Sequence, residues 1–148
     1  MKSVLVYYSS HHGNTKKLAD AIAQSCGASL IDAAAQPEAS LAPYDLIGFA
    51  SGIYFGKFHE SVLEFARKNL PENKRVCFLC TYGGRGNTNA IAEAVREKSA
   101  VILGEFGCYG YDTYGPFKLI GGIRKGHPDA KDLEDACRFF AGLQGRLP

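Results

Sequence analysis

The sequence predicts an α/β protein built on five parallel strands in the order 2-1-3-4-5, with helices on both faces of the sheet. Three observations lead there. Apolar runs such as "SVLVYY" at 3–8 are continuous rather than alternating, as in strands covered on both sides. Strand-like runs alternate strictly with stretches of helical period. Right-handed crossovers then leave few windings, and the common one places a ligand at the carboxyl edge where strands 1 and 3 diverge.

The elements follow in order. Residues 3–8 form the first strand. From Asn14 the period changes, and Leu18, Ala21, Ile22, Ser25 and Cys26 fall on one helical stripe until Gly27 stops the helix. "ASLID" at 28–32 is a short second strand, followed by a loop with Pro37 and Pro43. "YDLIGFAS" at 44–51 is the third strand. "KFHESVLEFARKNL" at 57–70 is the second helix, ended by Pro71. The fourth strand is 74–82, the third helix 87–99, the fifth strand 100–110 and the last helix 129–144, with Leu133, Ala136, Cys137, Phe140 and Leu143 facing inward. A chain of 148 residues with 46% apolar content suits one domain with a real core, spanning 1–148.

Composition excludes several classes. The net charge is +2 and the basic residues are scattered, which argues against a nucleic-acid arm. No apolar stretch approaches the roughly 18 residues that span a bilayer, and the N-terminal run is too short for a signal-peptide core, so a cytoplasmic protein is expected. Five cysteines at irregular spacing do not make a disulfide framework. Cys77 and Cys80 match C-x-x-C, but on a strand they point to opposite faces and read as buried, reduced thiols.

The candidate site begins with "YYSSHHGNTKK" at 7–17. Ser9, Ser10, His11, His12 and Gly13 form a tight loop before a helix that opens at Asn14 or Thr15. Hydroxyls, an amide and the helix's first backbone N–H groups converge there, which makes a cradle for an anion such as phosphate. The plainer alternative is a well-capped helix. The chain lacks both G-x-x-x-x-G-K-[ST] and G-x-G-x-x-G, which argues against a magnesium nucleotide or a dinucleotide. The adjacent histidines diverge on an irregular loop and have no third ligand nearby, so no metal site is expected.

Two further loops share the same rim in a parallel sheet. "SGIYFGKFH" at 51–59 and "TYGGRGN" at 81–87 mix glycines with Tyr54, Phe55 and Tyr82. Aromatic faces can stack on a planar ring, and Gly56 and Gly86 allow close approach. A phosphate at one end and a flat heterocycle at the other is the ligand these three loops suit.

These motifs, in this order of elements, resemble the flavodoxin family. The stretch "SGIYFGKFHESVLEF" is also similar to the matching part of menaquinone-dependent protoporphyrinogen dehydrogenases, which share that fold. The resemblance implies a flavodoxin-like fold that binds FMN. Ser10, His12, Gly13, Asn14 and Thr15 would hold its phosphate. Ser51, Gly52, Ile53 and Tyr54 would flank one side of the isoalloxazine. Thr81, Tyr82, Gly83 and Gly84 would flank the other, with Tyr82 as the stacking partner. The chain departs from electron-carrier flavodoxins in being slightly basic and lacking tryptophan. Lys57, His59 and Arg85 are expected near the flavin, where positive charge favours the reduced anion.

The resemblance implies electron transfer between redox partner proteins, of the reductase or ferredoxin type, with no catalytic acid or base. The alternative is an FMN-dependent oxidoreductase acting on a quinone, porphyrinogen or other small substrate. A receiver-like signalling module would need acidic residues at strand ends, and strand 1 ends in Tyr-Tyr-Ser-Ser. The segment 110–127, with its aromatics, glycines and the basic residues Lys118, Arg124, Lys125 and His127, exceeds ordinary loop length. It either folds over the rim and shapes access or packs as a surface strand and turn.

Overall fold

The three central predicted strands form because their apolar runs can be covered from both sides, while the two edge strands stay half-exposed. In the computed structural model, which describes residues 1–10, 13–111 and 122–147, β1 is Ser3–Tyr8, and Val4, Leu5 and Val6 have no exposed surface. β2 (Ser29–Asp32), β3 (Leu46–Tyr54), the two-residue β4 (Lys57–Phe58), β5 (Arg75–Tyr82) and β6 (Val101–Tyr109) complete the set. The helices are α1 (Asn14–Cys26), α2 (Glu60–Asn69), α3 (Asn89–Arg96) and α4 (Ala130–Gly145). The parallel sheet runs β2-β1-β3-β5-β6, which is the predicted 2-1-3-4-5 order with β4 left out of the count. This is a flavodoxin-like α/β architecture.

Alternation along the strands divides the core in two. Val6, Phe49 and Phe78 face α2 and α3, meeting Phe65, Ile91 and Val95. Leu5, Leu46 and Leu79 face α1 and α4, meeting Leu18, Ile22 and Phe140. Cys77 belongs to the second layer and Cys80 to the first, so the C-x-x-C pair sits on opposite faces as expected. Gly48 marks the tightest approach across the second layer. A methyl group there would lie 2.5 Å from Leu5 Cδ1 and 3.3 Å from the Phe140 ring.

Helix ends obey local chemistry. Gly27 takes a left-handed conformation (φ 71°) and its N–H closes α1 onto the Ala23 carbonyl at 3.0 Å. α4 opens with a capping box between Asp129 and Asp132.

Between 51 and 60 the chain departs from the loop and early helix expected from its sequence. Strand 3 continues to Tyr54, turns through Phe55 (φ 52°) and Gly56 (φ 79°), and returns as β4 to pair antiparallel with itself. The second helix therefore starts at Glu60 rather than Lys57, because the His59 side chain accepts the Ser61 N–H and caps it. α3 is likewise shorter than 87–99: Asn87 Oδ1 accepts the Asn89 N–H before the helix begins.

The register sets the site. Tyr8 is level with Ser51, and Gly52 with Thr81. The ends of β1, β3 and β5 thus reach one carboxyl edge together.

Candidate functional site

The loop after β1 enters α1 through Gly13, which is left-handed (φ 67°, ψ 27°). The Gly13 N–H reaches back to the Ser10 carbonyl at 3.4 Å, and Ser9 Oγ accepts the Lys16 N–H at 3.1 Å. Ser9 therefore serves the helix start. The first turn of α1 carries no acidic residue, so no carboxylate of that turn opposes an anion at its N–H groups. His11 and His12 lie outside the described residues.

Three side chains of this loop and of the first turn of α1 are tied to the neighbouring loops. Ser10 Oγ lies 2.8 Å from the Tyr54 hydroxyl at the end of β3. Thr15 Oγ1 lies 3.1 Å from Thr81 Oγ1 at the end of β5, and both threonines are buried. Asn14 Nδ2 donates to the Tyr111 carbonyl beyond β6 at 2.8 Å. The structure thus joins the phosphate-loop candidates to Tyr54 and Thr81 directly, across sequence separations no local pattern reveals.

Those ties leave the chemistry an FMN tail needs. A pair of hydroxyls holds two hydrogens and uses one between them, so each pair keeps a donor for a phosphate oxygen. Asn14 Oδ1 is buried without a hydrogen-bond partner. An orphaned acceptor of that kind is unfavourable alone and suits a donor such as a ribityl hydroxyl. Donors for a phosphate and an acceptor for a sugar alcohol at one helix start fit FMN.

Around β3 the candidates divide. Ser51 is fully buried; its Oγ accepts the His59 N–H at 2.9 Å and donates to the Gly52 carbonyl at 2.6 Å. Its hydroxyl organises the hairpin. Ile53 pairs with Phe58 inside that hairpin. Gly52 leaves room for the Tyr54 ring, which would lie 3.3 Å from a methyl group there. At the tip beside Gly56, Phe55 is 89% exposed.

An aromatic cluster unsuspected from the sequence supports this wall. The Tyr8 and His59 rings stack at 3.6 Å and 8°, and Tyr54 stands edge-on to both. Burial pushes the Tyr54 hydroxyl above its ordinary pKa and the His59 imidazole below its own. His59 is therefore neutral at pH 7, and Lys57 is paired with Glu60 at 3.5 Å. His59 thus does not supply the positive charge expected of it, while Lys57 stays a cation partly offset by Glu60.

The loop after β5 is placed by glycines. Tyr82 packs on the α3 side of the sheet, where a methyl group on Gly107 would lie 2.8 Å from its ring and one on Gly86 3.1 Å from it. Tyr109 meets it edge-on at 5.6 Å. Gly84 is open, and the Gly83 carbonyl accepts from Arg124 Nε at 3.2 Å. Arg124 was legible only as part of a basic patch. Most of the 110–127 segment, with Lys118, lies outside the described residues.

A doubly wound sheet gathers hydroxyl donors, an orphaned acceptor and aromatic rings at its carboxyl edge, the place where open α/β sheets bind ligands. The chain belongs to the flavodoxin domain family, which matches residues 5–110. It is 41% identical to the uncharacterized protein MJ0298 of Methanocaldococcus jannaschii over 147 residues, covering 97% of this chain and 98% of that one. Solved structures agree on the fold. A flavodoxin from the domain Archaea is 22% identical with a TM-score of 0.66, covering 93% of this chain and 92% of its own. Oxidised Flavodoxin 2 from Bacillus cereus is 18% identical with a TM-score of 0.68, covering 99% and 100%. Family membership implies a flavin cofactor. Among the described residues no helix is long and apolar enough to cross a membrane.

Proposed function

We propose that the protein binds FMN and carries electrons between redox partner proteins, as a single domain in the cytoplasm. Bound FMN supplies the redox chemistry, taking up and releasing one or two electrons. The chain's own residues bind and orient it. Ser10, Thr15 and the first N–H groups of α1 hold the phosphate, assisted by the helix dipole. Asn14 Oδ1 accepts a ribityl hydroxyl. Tyr54, on the β3–β4 hairpin, and the 81–86 loop bound the ring from two sides, with Gly83 and Gly84 allowing backbone approach.

The observation that carries this reading is the pair of ties Ser10–Tyr54 and Thr15–Thr81. They bring three loops to one edge while keeping spare donors for a phosphate. Electron transfer needs no acid or base beside the ring, and His59, the one described histidine packed against this wall, is occupied in capping α2.

The test is the visible spectrum of the purified protein, with identification of the flavin released on denaturation. FMN bound tightly, with rapid electron exchange with ferredoxin-type proteins and poor steady turnover of NAD(P)H or quinones, supports the reading. Steady turnover of a quinone or porphyrinogen would move it to the oxidoreductase alternative. A chain that is colourless and stays so with added FMN overturns it.

A further inference from the structure

Arg124 sits in a turn between two glycines with positive φ, Gly122 at 91° and Gly126 at 90°. Its own φ is 58°, the left-handed region that costs a non-glycine residue about 1 kcal/mol or more. A glycine would meet that backbone demand without strain. The side chain that stands there instead makes two contacts with the candidate site's surroundings.

Its Nε donates to the Gly83 carbonyl at 3.2 Å, and its guanidinium carbon lies 3.9 Å from the centroid of the Tyr109 ring. Tyr109 packs edge-on against Tyr82. The turn is itself anchored. The Arg124 carbonyl accepts the His127 N–H at 3.0 Å, and the His127 carbonyl accepts the Tyr111 N–H at 3.0 Å. His127 Nδ1 lies 2.7 Å from Asp132 Oδ2 in the first turn of α4. A continuous line of contacts therefore runs from α4 through His127 and Arg124 to the 81–86 loop. Asn14 joins the same region through the Tyr111 carbonyl.

An arginine fixed this way does two things a flexible surface lysine does not. The planar guanidinium holds one carbonyl of the loop while its face rests on an aromatic ring, so its position is set. It also keeps a permanent positive charge beside the loop. Lys57 lies on the β3–β4 hairpin with its charge partly offset by Glu60 at 3.5 Å, and burial holds the His59 imidazole toward its neutral form.

We propose that Arg124 is a positioning residue that locks the Gly83 peptide of the cofactor loop and biases the site toward the reduced, more negative flavin. The inference rests on the FMN reading above. Two-electron reduction by an external reductant, a reduced iron–sulfur protein or dithionite, adds two electrons. With uptake of one proton the ring gains one negative charge, and a fixed cation nearby favours that form. Arg124 is an exposed residue, so the effect is modest and weakens as salt rises.

The test uses the full chain with Arg124→Asn, which tolerates the left-handed backbone and removes the charge, and Arg124→Lys, which keeps the charge and loses the fork. Two quantities are read. One is hydrogen–deuterium exchange of the 81–86 amides in the apoprotein. The other is the ratio of affinities for reduced and oxidised FMN. Arg124→Asn is expected to speed exchange several-fold and to lower that ratio by about threefold to tenfold. A tenfold change is about 30 mV for a two-electron couple. Arg124→Lys is expected to speed exchange alike but keep most of the ratio. Unchanged exchange and unchanged ratio in Arg124→Asn, with an unaltered melting temperature, overturn the proposal. A wild-type chain that binds no FMN overturns the flavin reading and the charge effect together; exchange in the apoprotein then judges the loop tie by itself.

Discussion

The hydroxyls of Ser10 and Tyr54, 44 residues apart in sequence, meet at 2.8 Å and join the loop after β1 to the end of β3. This contact links the proposed grip on the phosphate to the wall beside the ring. It also fixes which way Tyr54 turns, because the ring is held between Gly52 and the stacked Tyr8–His59 pair.

Ser10→Ala removes a phosphate donor and leaves the half-buried Tyr54 hydroxyl without its partner. FMN binding should weaken about tenfold or more, equivalent to roughly 1.4 kcal/mol, with riboflavin binding changed by less than about twofold. Tyr54→Phe keeps the ring and the Ser10 donor, so its loss of FMN affinity should be smaller. Paired titrations of apoprotein with FMN and riboflavin check both. Equal losses for the two ligands in Ser10→Ala would place the phosphate elsewhere.

Thr15 and Thr81 form a pair of a different kind, since both residues are buried and only 2% and 3% of their surfaces stay exposed at the site. Thr15→Val strands the Thr81 hydroxyl and should lower apoprotein stability by about 1–3 kcal/mol. Thr15→Val with Thr81→Val replaces both partners by apolar groups and should recover much of that loss, a coupling that a double-mutant cycle in denaturant measures. FMN binding should stay impaired in the double variant even where stability returns.

The frame of the fold was legible because burial on both faces writes itself as unbroken apolar runs. Glycine's tolerance of positive φ made the end of α1 readable at Gly27. The β3–β4 hairpin was not legible. Its turn places Phe55 at φ 52°, a conformation an aromatic residue rarely signals, and the residues after Ser51 looked like a simple loop. The site's chemistry was readable as residue types, but its wiring was not. Thr15 finds its partner 66 residues away and Asn14 finds its partner 97 residues away. Arg124 carried no signal beyond charge, because its contacts with Gly83 and Tyr109 depend wholly on how the chain returns after β6.

His59 gives a dependence on pH with a defined sign. Its neutral Nδ1 accepts the Ser61 N–H at 3.1 Å, so the ring must carry its hydrogen on Nε2. Burial lowers its pKa from the ordinary 6.5. Below that value the unfolded chain takes up a proton that the folded chain resists, so stability falls as pH drops through and beneath about 6.5. His59→Asn keeps a capping side chain and removes the titration. Denaturant unfolding between pH 7.5 and pH 5 should show the wild type losing more stability than the variant. Parallel curves would mean that the imidazole is not the group responsible.

The buried thiols set the opposite limit. Cys80 and Cys108 are 4% and 6% exposed, and burial, the largest cause in each case, pushes both from 9.0 to about 12. Cys77, with no exposed surface, is pushed higher still. In the unfolded chain these thiols ionise near 9.0, while in the folded chain they stay protonated. The folded state therefore binds more protons above that pH, and stability falls as pH rises. Each thiol contributes a slope of about 1.4 kcal/mol per pH unit until its folded pKa is passed. Stability should be insensitive to these groups up to about pH 8 and then decline steeply. Cys80→Ala and Cys108→Ala each lower the overall stability by removing buried volume, yet each should make the alkaline decline shallower by one thiol's share. Denaturant midpoints at pH 8, 9 and 10 separate the two effects, because the lost volume shifts all three alike and the lost titration shifts only the last two. An alkaline slope unchanged in both variants would mean that these thiols ionise no later in the folded chain than in the unfolded one.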